Sequence, residues 1–298
     1  MRPELVRAAE LLRRSSPQDI EQALALLQNT VYSFSMKVCG HPEDAEDTMQ
    51  EVLYRSLPHL QKLEDPQALA VWLYTVTRNR CWRMRSKGAK LTRQTLSLDE
   101  LLPSDAELGR MLEDASRTPE EDALHAEQSV ILHQAILRIP PPLRMVLVLH
   151  DMEELSTDQV ATILGLKPGT VRVRLHRARL GVRQQMDRLR AEAAGKPPSA
   201  PTEKPLHPDK SCREIFANLS EYMDGRLEPA TCEQMRAHVE ACPACVAFLR
   251  ELRAAIDRCR SLDMPCDPAV AARLRSLLTQ EYLRMIGLGL GGKHATHV

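Results

Sequence analysis

Residues 191–210 (AEAAGKPPSAPTEKPLHPDK) set five prolines among alanine, glycine and serine. Proline lacks the amide hydrogen that a helix needs and clashes with the preceding turn, so a helix cannot continue through this stretch. It reads as a semi-extended linker that divides the 298-residue chain into separately folding parts. A second break falls at about residues 88–122, where Gly88, Pro103, Gly109 and Pro119 interrupt acidic, polar sequence; it reads as an irregular connector. Between the breaks apolar residues recur at helical spacing, as in Leu53, Leu57 and Leu60 or Val171, Leu175, Ala178 and Val182. Only 2 Trp, 5 Tyr and 3 Phe are present, and the remaining apolar residues are mostly Leu, Ala and Met, which favour helix over strand. The expectation is an all-α protein of small domains, with no internal repeat.

The 40 basic and 40 acidic residues cancel, but they are segregated along the chain. Residues 78–93 carry seven Lys/Arg and no acid, and residues 165–190 carry eight basic residues against Asp187 alone. Residues 43–51 hold five acids and no base, and residues 99–122 hold nine acids against Arg110 and Arg117. A plain solvated surface mixes its signs better than this, so distinct charged partners are expected. The N-terminus lacks the apolar run of a secretory signal, and no 18-residue stretch is free of charge, so a cytoplasmic protein without a membrane span is expected. In a reducing compartment its eight cysteines are more readily metal ligands or redox thiols than structural disulfides.

Residues 156–183 (STDQVATILGLKPGTVRVRLHRARLGVR) have the form of a helix-turn-helix. Ser156 with Gln159 makes a capping box, Gly165 allows the turn, and Pro168 suits the first turn of the second helix. On that helix Val171, Leu175, Ala178 and Val182 form the buried stripe, which leaves Thr170, Arg172, Val173, Arg174, His176, Arg177 and Arg179 outside. A basic outward face at the start of a second helix suits major-groove reading, because arginine bonds guanine bidentately and also neutralises phosphate; the alternative is a solvated helical hairpin. The earlier basic patch follows WLYTVTRNR (72–80), where aromatic side chains interleave with Arg78, Asn79, Arg80, Trp82 and Arg83. Aromatics beside cations can stack on unpaired bases, but Trp72 and Leu73 also suit a core, and the residues alone leave both readings open.

In the C-terminal third, His238, Cys242 and Cys245 are spaced at i, i+4 and i+7, which on one continuous helix puts them on one face. Cys212, at the start of an earlier helix turned back at Asp224-Gly225, supplies a fourth ligand. Three thiolates and one imidazole make a closed tetrahedral set suited to structural Zn²⁺; the alternative is a buried Cys/His face of a hairpin. Cys232, Cys259 and Cys266 receive no role. Residues 268–286 form an amphipathic helix, free by its pattern to pack on either neighbouring part, and the tail ends with His294 and His297.

Taken in order, DAEDTMQEVL (44–53), WLYTVTRN, the acidic connector and the block from LRIPPPLRMVLVLHDMEELSTDQVATILG to GTVRVRLHRAR resemble a group IV, or extracytoplasmic-function, sigma factor of bacterial RNA polymerase over about residues 17–190. The resemblance implies that Asp44, Glu46, Asp47, Gln50 and Glu51 bind the clamp helices of the polymerase β′ subunit. It implies further that Arg78, Asn79, Arg80 and Arg83 contact the −10 promoter strand, and that the helix-turn-helix reads the −35 element. Residues 212–249 are similar to the zinc-binding anti-sigma domains, on an early Cys, the YMDGRL turn and His-x3-Cys-x2-Cys. The implied organisation is a sigma region 2 domain (1–90), an acidic connector (91–122), a sigma region 4 domain (123–190), the proline-rich linker (191–210), a zinc-binding domain with a trailing helix (211–286) and a flexible tail (287–298). The implied protein binds and does no covalent chemistry, with an intramolecular contact between the zinc domain and the sigma domains. A helix-turn-helix regulator acting without polymerase leaves the DAED and WLY-RN blocks unexplained, and a zinc enzyme needs an open coordination position that a Cys₃His set lacks.

Overall fold

The computed structural model describes residues 2–14, 16–60, 62–63, 65–86, 101–102, 125–193, 195 and 210–287. Most of the acidic connector, most of the proline-rich linker and the tail with His294 and His297 lie outside the described residues. Every regular element among the described residues is a helix. The chain groups into two compact units, one of residues 1–91, 162–164 and 263–298, the other of residues 92–161 and 165–262.

The first unit contains α1 (Pro3–Arg14), α2 (Pro17–Cys39), α3 (Pro42–Leu60), α4 (Pro66–Ser86) and, from the far end of the chain, the last helix of the fold (Pro268–Met285), which is numbered α12 below. Helix α2 is the centre: every residue from Thr30 to Cys39 is buried, because α1, α3, α4 and α12 all pack on it. Ser16 caps its start by accepting from the Asp19 amide, and Gly40, at φ 85°, ends it in the left-handed conformation that costs glycine little. Leu53, Leu57 and Leu60 are buried along α3 as their spacing predicts. Sequence pattern left two packings open for the residue 268–286 helix; it lies against α2 and α3.

The second unit contains α5 (His125–Arg138), α6 (Pro141–Leu147), a π-helical turn (Val148–Met152), α7 (Thr157–Leu164), α8 (Pro168–Ala193), α9 (Lys210–Met223), α10 (Pro229–Ala241) and α11 (Pro243–Ser261). The helix-turn-helix forms as the sequence predicts. Ser156 Oγ accepts from the Gln159 amide at 3.2 Å while the Ser156 amide donates back to Gln159 Oε1 at 2.8 Å, and Gly165 turns at φ 64°. Nine of the described helices open on proline, a position where the missing amide costs nothing and the fixed φ already fits.

Helix α8 is the axis of this unit, packed by α5 and α6 and also by α9 and α11. Its Val171, Leu175, Ala178 and Val182 are buried, and so are His176, Arg179, Leu180 and Arg183. Leu180 shares one apolar cluster with Phe216, Leu219, Phe248 and Leu252 of α9 and α11, and with Cys212 and Cys245.

Candidate functional sites

The four proposed metal ligands converge, but by a different route from the one their spacing suggested. His238 lies near the end of α10, Cys242 sits between helices with extended backbone (φ −115°, ψ 104°), and Cys245 is in the first turn of α11. One continuous helix does not carry them. Pro243 forbids it, because its ring pushes the preceding residue out of helical geometry, and the chain corners at Cys242 instead. The corner aims the Ala244 and Cys245 amides at Cys242; burial raises its thiol pKa, and these hydrogen bonds, with those from the Cys245 and Cys212 side chains, outweigh burial and bring it below the ordinary value. Burial, followed by its two thiol neighbours, pushes Cys245 up.

Cys212 Sγ is 3.3 Å from His238 Nε2, 3.7 Å from Cys245 Sγ and 4.0 Å from Cys242 Sγ, and Cys245 Sγ is 3.4 Å from His238 Nε2. All four ligand atoms lie within 4.8 Å of one another. A tetrahedron with metal–sulfur bonds of about 2.3 Å has sulfur–sulfur edges of about 3.8 Å, so this donor set fits a tetrahedral ion such as zinc without rearrangement. Cys232 and Cys259 stand outside the cluster, as expected of residues given no role.

The outward face assigned to α8 divides in two. Thr170, Arg172 and Val173 are exposed and Arg174 and Arg177 half-exposed. His176 and Arg179, expected outside with them, are buried at 7% and 2% exposure. The correction has a physical cause: α8 is covered on a second side by α9 and α11, and its arginines are neutralised there rather than solvated. Arg179 grips Asp151 bidentately, at 2.8 Å from Nε and 2.7 Å from Nη2, and donates to Asp224 Oδ1 at 2.9 Å and Ser220 Oγ at 2.6 Å. Arg183 lies 5.2 Å over the Phe248 ring and 3.7 Å from Glu251.

Asp151 comes from the π-helical turn, whose extra residue per turn puts a carboxylate in the interior. Burial raises its pKa, but the hydrogen bonds from Arg179 and His150 outweigh burial and hold it down at about 2. His176 is lowered as well, but here burial itself is the largest cause: burial, then the neighbouring Arg179 and Arg177 charges, bring it to about 4. The end of α9 and the turn after it add two further polar contacts, Glu221 to Arg172 at 3.4 Å and Arg226 to Thr157 Oγ1 at 2.5 Å. None of Asp151, Ser220, Glu221 and Arg226 stands out in the sequence, and Asp224 does so only as part of a turn. The available signal was the run of charges in YMDGRL, in a segment that otherwise needed only a turn.

In the first unit Asp47 and Gln50 are exposed on α3, and Asp44, Glu46 and Glu51 are half-exposed. Glu51 is paired with Arg80 of α4 at 2.5 Å and with Arg55 at 2.9 Å. Asn79 is exposed and Trp82 is 44% exposed, while Trp72 stacks on His59 at 5.2 Å and Leu73 is buried. The Arg83 side chain lies outside the described residues.

Three family models match the chain. One described as "Sigma-70 region 2" matches residues 24–90, one described as "Sigma-70, region 4" matches residues 129–180, and one described as "Putative zinc-finger" matches residues 212–245. The last runs from the first metal-ligand candidate to the fourth. The chain thus carries segments that match sigma-70 region 2, sigma-70 region 4 and a zinc finger, in that order. It is similar to the "Probable RNA polymerase sigma factor RfaY" of Xanthomonas campestris pv. campestris, 30% identical over 53% of this chain and 38% of the relative. It is also similar to the "ECF RNA polymerase sigma factor SigE" of Mycolicibacterium smegmatis, 30% identical over 55% of this chain and 60% of the relative. A third relative is the "ECF RNA polymerase sigma factor SigW" of Bacillus subtilis, 27% identical over 54% of this chain and 85% of the relative. The match thus spans less than two thirds of the length of the first two relatives. Region 2 corresponds to α2–α4 and region 4 to α5 through the first half of α8, while α12 falls outside all three family matches. Among the described residues no helix is long and apolar enough to cross a membrane.

Proposed function

We propose that this protein is a cytoplasmic sigma factor, which brings bacterial RNA polymerase to promoters and is restrained in cis by its own zinc-binding module. The ordered pair of sigma-70 regions on one chain carries the first part. Region 2 supplies the acidic α3, with Asp44, Glu46, Asp47, Gln50 and Glu51 meeting the β′ clamp helices and Arg78, Asn79, Arg80 and Arg83 meeting the opened −10 strand. Region 4 supplies Thr170, Arg172, Arg174 and Arg177 to the −35 element. The protein binds and positions; the chemistry of RNA synthesis belongs to the polymerase.

Zn²⁺ held by Cys212, His238, Cys242 and Cys245 would supply the cross-link that fixes α9 against the α10–α11 corner, which a three-helix unit of this size otherwise lacks. Its role is structural, since all four positions are taken by protein atoms. The restraint is supported by the contacts on α7 and α8: Asp224 and Ser220 hold Arg179, Arg226 holds Thr157, and Glu221 stands beside Arg172, where a phosphate or base would come. Because Cys212 and Cys245 share an apolar cluster with Leu180, loss of the metal or oxidation of the thiolates loosens the packing that holds the recognition helix. Promoter-directed transcription with core polymerase tests both parts. Full-length protein should transcribe weakly and a chain ending near residue 195 more strongly, and binding to promoter DNA should require polymerase. A truncated protein that binds polymerase yet transcribes less than the full chain overturns the restraint, and promoter binding without polymerase overturns the sigma assignment.

A further inference from the structure

The chain leaves the first unit after α4, builds the second unit and returns to the first as α12, so the two units are joined twice. The joints differ in length. The outgoing one has 14 residues between Ser86 and Leu101, which is buried in the α8 cluster with Leu180, and it can span about 50 Å. The return joint runs from α11, which packs on α8, to α12, which packs on α2 and α3. At one end Leu262 is 4% exposed and donates its amide to Cys259 O; at the other Cys266 is 8% exposed beside Tyr32 and Glu46. Only Asp263, Met264 and Pro265 lie between them, so Leu262 and Cys266 stand no more than about 14 Å apart.

Both ends are anchored. Gln28 of α2 donates to Ala271 O at 2.9 Å, Asp267 caps α12 through the Ala269 and Val270 amides, and Leu278 and Tyr282 are each 2% exposed. On α11, Phe248 lies under Arg183 of α8, and Glu251 is 3.7 Å from the same guanidinium.

Covalent reach then limits how far apart the two sets of DNA-binding residues can stand, whatever the orientation of the units. Arg80 lines one cleft with Leu274, two turns into α12, which puts it within about 20 Å of the return joint. From the other end, the path along α11 to Glu251, across to Arg183 and along α8 to Arg172 covers about 45 Å at most. With the joint drawn straight and every helix in line, Arg80 and Arg172 come to about 80 Å apart. The −10 and −35 elements lie about 25 base pairs apart, which is about 85 Å of duplex. Once the module leaves α8, the tie runs through residues 194–209 as well, which add up to about 55 Å.

We propose that residues 263–265 are a strap: while the zinc module sits on α8 and α12 sits on α2, they keep region 2 and region 4 from engaging both promoter elements together. The inference rests on the sigma-factor reading and deepens it. Helix α12 is the anchor, and the restraint is a limit on reach as well as a cover over α8.

The test measures promoter-directed transcription by full-length, zinc-loaded protein with core polymerase. A chain ending near residue 195 loses module, strap and α12 together, so the strap is lengthened instead. An insert of about 20 Gly/Ser residues adds about 25 Å of root-mean-square reach. Placed between the half-exposed Met264 and the exposed Pro265, it leaves both anchors intact. Transcription should rise about fivefold, with the amides of α9–α11 still protected from hydrogen exchange. The same insert between Gly88 and Ala89 lengthens the longer joint and should change nothing by itself. Equal gains from the two inserts, or a gain that comes with lost protection in α9–α11, overturns the strap. Unaltered transcription by the strap insert, with a gain in Asp224→Ala, also overturns it and leaves restraint by direct contact standing. If none of these proteins, Asp224→Ala included, supports promoter-directed transcription, the sigma reading is overturned together with the inference.

Discussion

In the first unit Asp47 and Gln50 stand exposed on α3 with an open cleft beside them, whereas in the second unit Arg179 and Arg183 of α8 have side chains 1% exposed and are bound to residues of the zinc module. Both faces are charged and both border a segment from the C-terminal third. The difference lies in what that segment offers. Helix α12 brings leucines to the acidic helix and leaves Asp47 exposed; α9 and its turn bring Asp224 and Ser220 to a buried arginine. A charge removed from water must be paired, and a pair so buried is hard to separate without replacing each partner. On the proposed function, restraint by the module would act on region 4, and an intact protein should hold polymerase before it can read the −35 element.

The largest expected effect comes from removing the metal. Structural zinc in small modules contributes on the order of 10 kcal/mol or more to the folded form, and among the described residues of the first unit no such Cys/His cluster occurs. Cys242→Ser with Cys245→Ser should abolish zinc binding, expose the amides of α9–α11 to hydrogen exchange and leave those of α2 protected. Full zinc content in the double variant would remove the site, and equal loss of protection in α2 would erase the contrast between the units.

Next in size is Arg179→Ala, which leaves Asp151, with its side chain 0% exposed, without its bidentate partner. Breaking a buried pair from one side costs about 3–5 kcal/mol, so the second unit should melt well below the wild type. Asp224→Ala removes only the outer carboxylate, which keeps 19% exposure; a cost of about 1–2 kcal/mol and a gain in promoter activity are expected. A stable, fully repressed Asp224→Ala protein would show that the Arg179 contact restrains nothing.

Most of the local structure was legible because it rests on near neighbours. The Ser156–Gln159 box, Gly165 and Pro168 set the helix-turn-helix within about a dozen residues, and His-x3-Cys-x2-Cys announced the Cys/His cluster even though Pro243 replaces the single helix with a corner. The burial of His176 and Arg179 was not legible, since it depends on α9 and α11, which lie beyond the proline-rich linker, and an arginine in a pattern reads as surface. One buried stripe was read where the helix carries two. Helix α12 was recognised as a helix, but its amphipathic pattern does not specify which surface receives it.

The pH response should also separate the units. The folded-state pKa of His176 is about 4 against an ordinary 6.5, so below pH 6.5 the unfolded chain binds a proton that the folded one refuses. Stability is then lost as pH falls from 6.5 to 4, by at most about 3 kcal/mol. Asp151, held at about 2 against 3.8, adds a second loss only as pH falls below 3.8. Thermal melts should show the second unit weakening through pH 5, and His176→Leu should flatten that leg while leaving the loss below 3.8. An unchanged leg would assign it to other groups.

The smallest effect tests whether the zinc module also screens the face of α8 that stays in solvent. Arg172 and Glu221 are 3.4 Å apart with side chains 43% and 41% exposed, and a pair so solvated contributes well under 1 kcal/mol to stability. Glu221→Gln should therefore leave the melting temperature unchanged. Its effect should appear instead in DNA binding by the polymerase-bound protein, because the carboxylate competes with phosphate and with guanine for the same guanidinium. A gain of about threefold or less at the −35 element is expected, shrinking with added salt as exposed charges are screened. Arg172→Ala should cancel the gain, since without the guanidinium the carboxylate has nothing to withhold. If Glu221→Gln raises binding equally in the Arg172→Ala background, the carboxylate acts through the general field of the module and the pair has no separate role. If it raises binding in neither, the restraint lies wholly in the buried contacts of Arg179.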